Sequence, residues 1–391
     1  MKVAVVYYQL TPQGGGVFTF TQSIHAALEA AVPDSGHEFV YYATATATGP
    51  PPGVTMMPAG RVAAAGKRTV YRVRDAQDRL GAPRIGPSTW FERSLEERGV
   101  ELVWFATNYA EDCNRPFVFT VFDVEHARQP WFPEVSADGE WERRHHYFSR
   151  YIPKATRVIV PNEAGRGQVM RYWRIEEDRF LCLAHPTPDF ALDAGARPIV
   201  SRDVVDRHGV GERYLLYPAQ FWAHKNHATL FEGLGLLADD YELVCVGSDK
   251  GQLEHQRALS RELGVDGRVH FLGFVSTTEL IALYQHAHAL TYLSLFGPEN
   301  LPPLEAMALG CPVVAADVPG AREQMGDAAL RVAPLDPAAV ADAVSRLEDA
   351  AERDRLVSAG RRRAAGFTAE RYVRGVLDFV DEFERVRRGW R

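Results

Sequence analysis

Short apolar runs alternate with stretches of helical period along the whole chain. Val3–Tyr8, Phe39–Ala43, Leu102–Ala106, Phe117–Val121 and Val158–Val160 are nearly continuous in apolar residues and too short for helices, so they read as strands buried on both faces. A helical pattern over Val17–Ala31 follows the first of them. The texture breaks at His185-Pro186-Thr187-Pro188 and again at Ala194-Gly195-Ala196-Arg197-Pro198, a sequence that reads as a linker. The alternation then restarts. Tyr214–Tyr217, Glu242–Val246, Val269–Leu272, Ala289–Tyr292 and Pro312–Ala315 predict strands, and Asn226–Leu237, Gln252–Leu263, Thr277–His286, Pro302–Leu309 and Pro337–Ala350 predict helices. Thr368–Arg388 is one long helical pattern. Strands alternating with helices imply α/β architecture with parallel sheets covered on both faces. The expectation is two doubly wound domains, residues 1–190 and 191–367, facing across a cleft that holds the site. Residues 368–391 would form a helix packing back on the N-terminal domain.

Composition narrows the class. The chain has 391 residues, a formal net charge of −7 and no basic excess, which removes the electrostatic footprint of a nucleic-acid binder. Cys113, Cys182, Cys245 and Cys311 are widely spaced and pair with no clustered histidines, which argues against a disulfide scaffold or structural zinc site. The opening apolar run is too short for a signal peptide or membrane span, so a cytoplasmic protein is expected. The segment Arg61–Arg84 is strongly basic and would suit peripheral contact with anionic lipid at the inner face of a membrane, or a solvated helix face.

Three loops carry the candidate chemistry. In Gly297-Pro298-Glu299-Asn300-Leu301-Pro302-Pro303-Leu304-Glu305, the prolines suit a first helical turn, and Gly310 supplies the stop. The start of that helix would offer unpaired amides and a positive dipole end to a phosphate. Glu305, placed in the first turn, would either take a ribose diol or simply complement the dipole. The second loop, Gln220-Phe221-Trp222-Ala223-His224-Lys225, ends a strand. The chain otherwise relies on arginine, and Lys225 there can reach a phosphate, while His224 and His227 read as surface or capping groups. The third, Gly14-Gly15-Gly16, allows backbone to approach a ligand closely but matches neither a dinucleotide fingerprint nor a P-loop.

Together these loops resemble the retaining glycosyltransferases of family 4, which have the GT-B fold of two Rossmann-like domains. The resemblance is most specific over Asn300–Ala315 and the continuation Val318–Ala329, with support from His270–Val275, from Thr120–His126 and from Val160-Pro161-Asn162-Glu163. It implies a nucleotide diphosphate sugar donor bound by Gly15, Gly16, Gln220, Lys225, Val275, Glu299, Asn300, Leu301 and Glu305, and catalytic roles for Asp123, His126, Lys225 and Glu299. It further implies transfer with retention to a glycan, lipid-linked or small-molecule acceptor hydroxyl presented by the N-terminal domain. No metal and no other cofactor are expected, because no Asp-x-Asp motif falls in a donor loop. The chain departs from the family pattern twice. Gly297 stands where a glutamate that touches the donor sugar is usual, with Glu299 two residues later, and Gln220 replaces an arginine. Those departures leave open a catalytically silent nucleotide-sugar-binding protein, and the fold leaves open a nucleotide-sugar epimerase.

Overall fold

The structure is a computed structural model and describes residues 1–8, 15–44, 53–58 and 89–390. The basic segment Arg61–Arg84 lies outside the described residues, as does Gly14.

Two parallel sheets form the frame. The N-terminal sheet comprises β1 (Lys2–Tyr7), β2 (Glu38–Ala43), β3 (Val54–Met56), β4 (Leu102–Phe105), β5 (Phe117–Thr120), β6 (Arg157–Val160) and β7 (Phe180–Cys182), in the order β3-β2-β1-β4-β5-β6-β7. The C-terminal sheet comprises β8 (Tyr214–Pro218), β9 (Glu242–Val246), β10 (Val269–Gly273), β11 (Ala289–Tyr292), β12 (Val313–Ala316) and β13 (Leu330–Val332), in the order β10-β9-β8-β11-β12-β13. Every pairing is parallel. In both sheets the first strand lies in the interior and the chain reverses direction beside it, which creates the crevice at the strands' carboxyl ends where ligands of such sheets bind. The sequence pattern missed β3, β7 and β13. Each is three residues long and sits at a sheet edge, where only one neighbouring strand and little apolar burial mark it.

Apolar side chains cover both faces of the N-terminal sheet. One face packs on the helices Trp90–Glu97, Glu140–Tyr151 and Glu163–Trp173. The other packs on the helix Gly16–Ser35 and on the last helix, Ala369–Arg388. That last helix buries Tyr372, Val373, Val376, Phe379, Val380 and Phe383, a stripe spaced by three and four residues that turns one side of the helix to the sheet. Each such side chain contributes about 1.5–3 kcal/mol on burial. Thr368 caps its start by accepting the Arg371 amide at 3.2 Å, and Glu382 meets Arg157 at 3.2 Å.

The expected linker is more ordered than its composition suggested. Asp189–Gly195 is a helix packed against Leu301–Leu309, and a Cβ on Gly195 would lie 2.2 Å from the Ala308 carbonyl oxygen. Glycine there reflects close helix contact and not a flexible joint. Likewise, the pattern read as Pro337–Ala350 ends at Arg346, and a separate helix, Ala350–Ala365, begins after the Asp349 cap. No helix among the described residues is long and apolar enough to cross a membrane.

Candidate functional site

The site lies where loops after β1, β5 and β6 face loops after β8 and β11. Gly15 adopts φ 59° and ψ −129°, which a side chain would strain, and opens the helix Gly16–Ser35 with no side-chain cap. A Cβ on Gly15 would stand 3.8 Å from Gln220 Nε2, and one on Gly16 would stand 3.3 Å from Leu301 Cδ1. The glycine loop thus faces both expected donor loops of the other domain. Two helix N-termini, those of Gly16–Ser35 and Leu301–Leu309, face the same gap.

Lys225 reaches this region from a short 3-10 turn after β8. Its Nζ donates to Tyr292 Oη at 3.0 Å and Ser294 Oγ at 3.3 Å. The Tyr217 hydroxyl fixes the turn by donating to the Lys225 carbonyl, and Asn226 follows at φ 57°. Gln220 is oriented by the Trp222 indole, which donates to its Oε1 at 3.0 Å.

The helix Leu301–Leu309 offers fewer amides than its position implies. Pro302 and Pro303 have no N–H, and the Asn300 amide is taken by Gln324 Oε1 at 3.2 Å. The Leu301 amide and the dipole remain for a ligand. Asn300 shapes the loop, donating through Nδ2 to the Phe296 carbonyl at 3.1 Å. Glu305 sits in the second turn, not the first, so it does not complement the helix start. It is buried and accepts the Tyr284 hydroxyl at 2.6 Å, and burial lifts its pKa to about 7. Val275 is half-buried against the C-terminal core beside Phe274, which is 76 % exposed.

Several expectations need correction. His126 is a residue to which the resemblance assigns a catalytic role. It is buried in an aromatic cluster, stacked on Phe148 at 5.2 Å and near Trp141, His145 and Trp173. Its Nε2 has no hydrogen-bond partner, and burial lowers its pKa to about 4. Glu299 precedes the helix Leu301–Leu309. Its buried carboxylate accepts the His185 amide at 2.7 Å in the wall between the domains, and burial raises its pKa well above the carboxylate range. His224 and His227 are not surface groups. His224 bonds Glu134 of the N-terminal domain and lies flat on Phe296 at 3.9 Å. His227 is buried among Tyr217, Phe221 and Phe231. Asp123 is half-buried at the cleft, where its Oδ1 accepts the Glu125 amide at 3.0 Å.

The sequence reading did not single out the residues that join the domains. Glu125 Oε1 accepts the Gly297 amide at 3.1 Å, and Gln129 Nε2 donates to the Leu295 carbonyl at 2.8 Å. Asn162 Nδ2 donates to the Pro298 carbonyl at 2.8 Å, and Glu323 accepts the Glu163 and Ala164 amides at 2.9 and 3.0 Å. Their signal was present in part, since Glu125 and Asn162 lie inside segments that carried the family resemblance.

Parts of the chain resemble known proteins. Residues 204–363 match a family model described as "Glycosyl transferases group 1". The O-antigen chain mannosyltransferase RfbU of Salmonella typhimurium is 34 % identical over 139 residues, 35 % of this chain and 39 % of that protein. A D-inositol 3-phosphate glycosyltransferase of Frankia alni is 38 % identical over 240 residues, 58 % of each chain. The match thus spans less than three fifths of either curated relative. Among solved structures, sucrose-phosphate synthase from Thermosynechococcus elongatus superposes with a TM-score of 0.72, covering 99 % of this chain and 100 % of that one at 19 % identity. WaaG, a glycosyltransferase involved in lipopolysaccharide biosynthesis, gives 0.69 over 96 % of this chain and 99 % of its own, again at 19 % identity. At that identity the likeness speaks to the fold alone, which is the two-domain GT-B arrangement.

Proposed function

We propose that the protein, whose residues 204–363 match the glycosyl transferases group 1 model, transfers a sugar from a nucleotide diphosphate sugar to an acceptor hydroxyl, with retention of configuration and without a metal ion. The observation that carries this reading is the approach of Gly15 to Gln220 and of Gly16 to Leu301, which brings two helix N-termini together across the domains, with Lys225 held by Tyr292 and Ser294 on the C-terminal side. Each of these groups favours negative charge.

Lys225, Gln220, the Leu301 amide and the backbone at Gly15 and Gly16 hold the diphosphate. Glu305 takes the ribose diol, and Val275 flanks the base. As the bond from the anomeric carbon to the phosphate oxygen breaks, charge grows on the diphosphate, and these groups stabilise it more in the transition state than in the ground state. The acceptor oxygen bonds the same face of the anomeric carbon, and its proton passes to the departing phosphate. Closure of the cleft keeps water from competing. Asp123 lies on the acceptor side. RfbU's name points to a glycan acceptor and a hexosyl donor for this chain as well.

A thermal-shift panel of UDP, GDP, dTDP and ADP and their sugars tests the donor. A ligand at 100 times its Kd adds about 2.7 kcal/mol of stability. Release of nucleotide diphosphate that rises with a sugar acceptor supports transfer. Burying His126 and Glu299 also suits a silent nucleotide-sugar binder, and stabilisation with no release under any acceptor would establish that reading instead.

A further inference from the structure

The segment Ser294–Gly297 is gripped from both domains. At one end, Lys225 Nζ donates to Ser294 Oγ at 3.3 Å, and the Leu295 amide donates to the His224 carbonyl at 2.9 Å. At the other, the Gly297 amide donates to Glu125 Oε1 at 3.1 Å. Gln129 Nε2 and the Arg128 guanidinium reach the Leu295 carbonyl at 2.8 and 3.3 Å. Phe296, held on both sides, lies flat on the His224 ring at 3.9 Å and edge-on to Phe132 at 5.0 Å. One short path therefore runs from a buried carboxylate of the N-terminal domain to the ammonium group of the C-terminal domain.

The carboxylate is matched to this place. Glu125 is fully buried, and its oxygens accept from Gly297 N, Arg128 Nε at 2.8 Å and Gln129 Nε2 at 2.9 Å. Every partner is a donor. A glutamine amide in the same volume would set its own N–H groups against at least one of them, a mismatch that a buried site does not tolerate. Burial raises the Glu125 pKa, and the Arg128 contact opposes that rise. Gly297 has φ 93°, so the amide presented to Glu125 depends on a backbone conformation that side chains disfavour.

We propose that Glu125 is a positioning residue for the donor loop. From the N-terminal domain it sets the conformation of Leu295–Gly297 and, through that segment, the placement of Lys225. Affinity for a nucleoside diphosphate on one domain then depends on a carboxylate of the other that does not touch the ligand. The proposal rests on the donor-binding reading given above.

The test measures UDP, GDP, dTDP and ADP binding by calorimetry in the full chain and in Glu125→Gln, with hydrogen exchange followed in peptides covering 294–300 and strands β4 and β5. The expected result is binding of one nucleotide by the unaltered protein and at least fivefold weaker binding by the variant. Exchange should quicken over 294–300 while β4 and β5 keep their protection. Arg128→Met, which alters a partly exposed side chain, should shift affinity and exchange in the same direction by less. A variant affinity within fivefold of the unaltered protein overturns the proposal, as does loss of protection throughout the N-terminal sheet, which would mark a purely structural carboxylate. Failure of the unaltered protein to bind any of the four nucleotides overturns the donor-binding reading itself, so the two failures are distinguishable.

Discussion

Tyr284 donates its hydroxyl to Glu305 Oε2 at 2.6 Å inside the C-terminal domain, and this bond only partly offsets the burial that raises the Glu305 pKa to about 7. A carboxyl whose folded pKa exceeds its unfolded value of 4.5 favours folding in its neutral form. The folded state is therefore unpenalised below about pH 4.5, loses stability as the pH rises toward 7, and stays penalised above that. The shift corresponds to a cost on the order of 3 kcal/mol at pH 8. Glu305→Gln keeps an oxygen for Tyr284 and carries no charge. It should melt higher than the unaltered protein at pH 8, with the advantage shrinking by pH 4. The same variant should lose its preference for ribonucleotides over their 2′-deoxy forms, because the ribose diol loses its acceptor. Equal melting differences at both pH values, or an intact ribose preference, would contradict the role assigned to this carboxylate.

Lys225 has three N–H donors, two of which point at Tyr292 and Ser294. The third is available to a phosphate oxygen. Lys225→Ala should weaken nucleoside diphosphate binding by about 1.5–3 kcal/mol, the contribution of a charged hydrogen bond. Calorimetry with UDP and GDP measures the loss, and unchanged affinity would remove the ammonium group from the site. Nucleoside monophosphates should lose less.

The frame of the molecule was legible in the sequence because burial on both faces leaves a strong apolar signature. Val3–Tyr7 and Leu215–Leu216 are apolar without interruption for that reason. The short edge strands carry no such signature. The loops were legible by position, since Gly15 and Gly16 come close to Gln220 and Leu301, yet side-chain direction was not. Glu299 and His126 occupy chemically suggestive positions, but tertiary packing turns both inward. Nothing local distinguishes a carboxylate that faces a ligand from one that accepts a distant backbone amide such as that of His185. Glu125 illustrates the converse, because its partner Gly297 lies 172 residues away in sequence.

In the mechanism proposed, Lys225 and the two helix starts neutralise the departing diphosphate, so no divalent cation is required. Turnover should continue within about twofold in EDTA. A rate that collapses with the chelator and returns with magnesium or manganese would overturn metal independence. A measurement at raised salt adds a second check, since weak screening of a closed site leaves the rate nearly unchanged while exposed charges lose influence.

His227 gives the sharpest pH prediction away from the site. Its ring is stacked on Phe221 at 5.0 Å, edge-on to Tyr217 at 5.0 Å and near Phe231 at 6.2 Å, and neither ring nitrogen has a hydrogen-bond partner. Burial, aided by the Lys225 charge, lowers its pKa to about 3. A histidine lowered in this way is neutral in the folded state and protonates readily only when unfolded. Its folded form is unpenalised above about pH 6.5 and loses stability as the pH falls from there toward 3. At pH 5 the loss is roughly 2 kcal/mol. Phenylalanine fits the same aromatic surroundings without a titrating group or unpaired nitrogens, which themselves cost about 1–3 kcal/mol. His227→Phe should therefore raise the melting temperature at pH 8 and raise it further at pH 5. The acid sensitivity of the whole chain should be relieved only in part, because His126, His185 and His224 are lowered by burial in the same way. Melting curves at the two pH values decide the matter. A gain that does not grow on acidification would show that His227 takes up a proton without cost in the folded protein, and that its cage admits water.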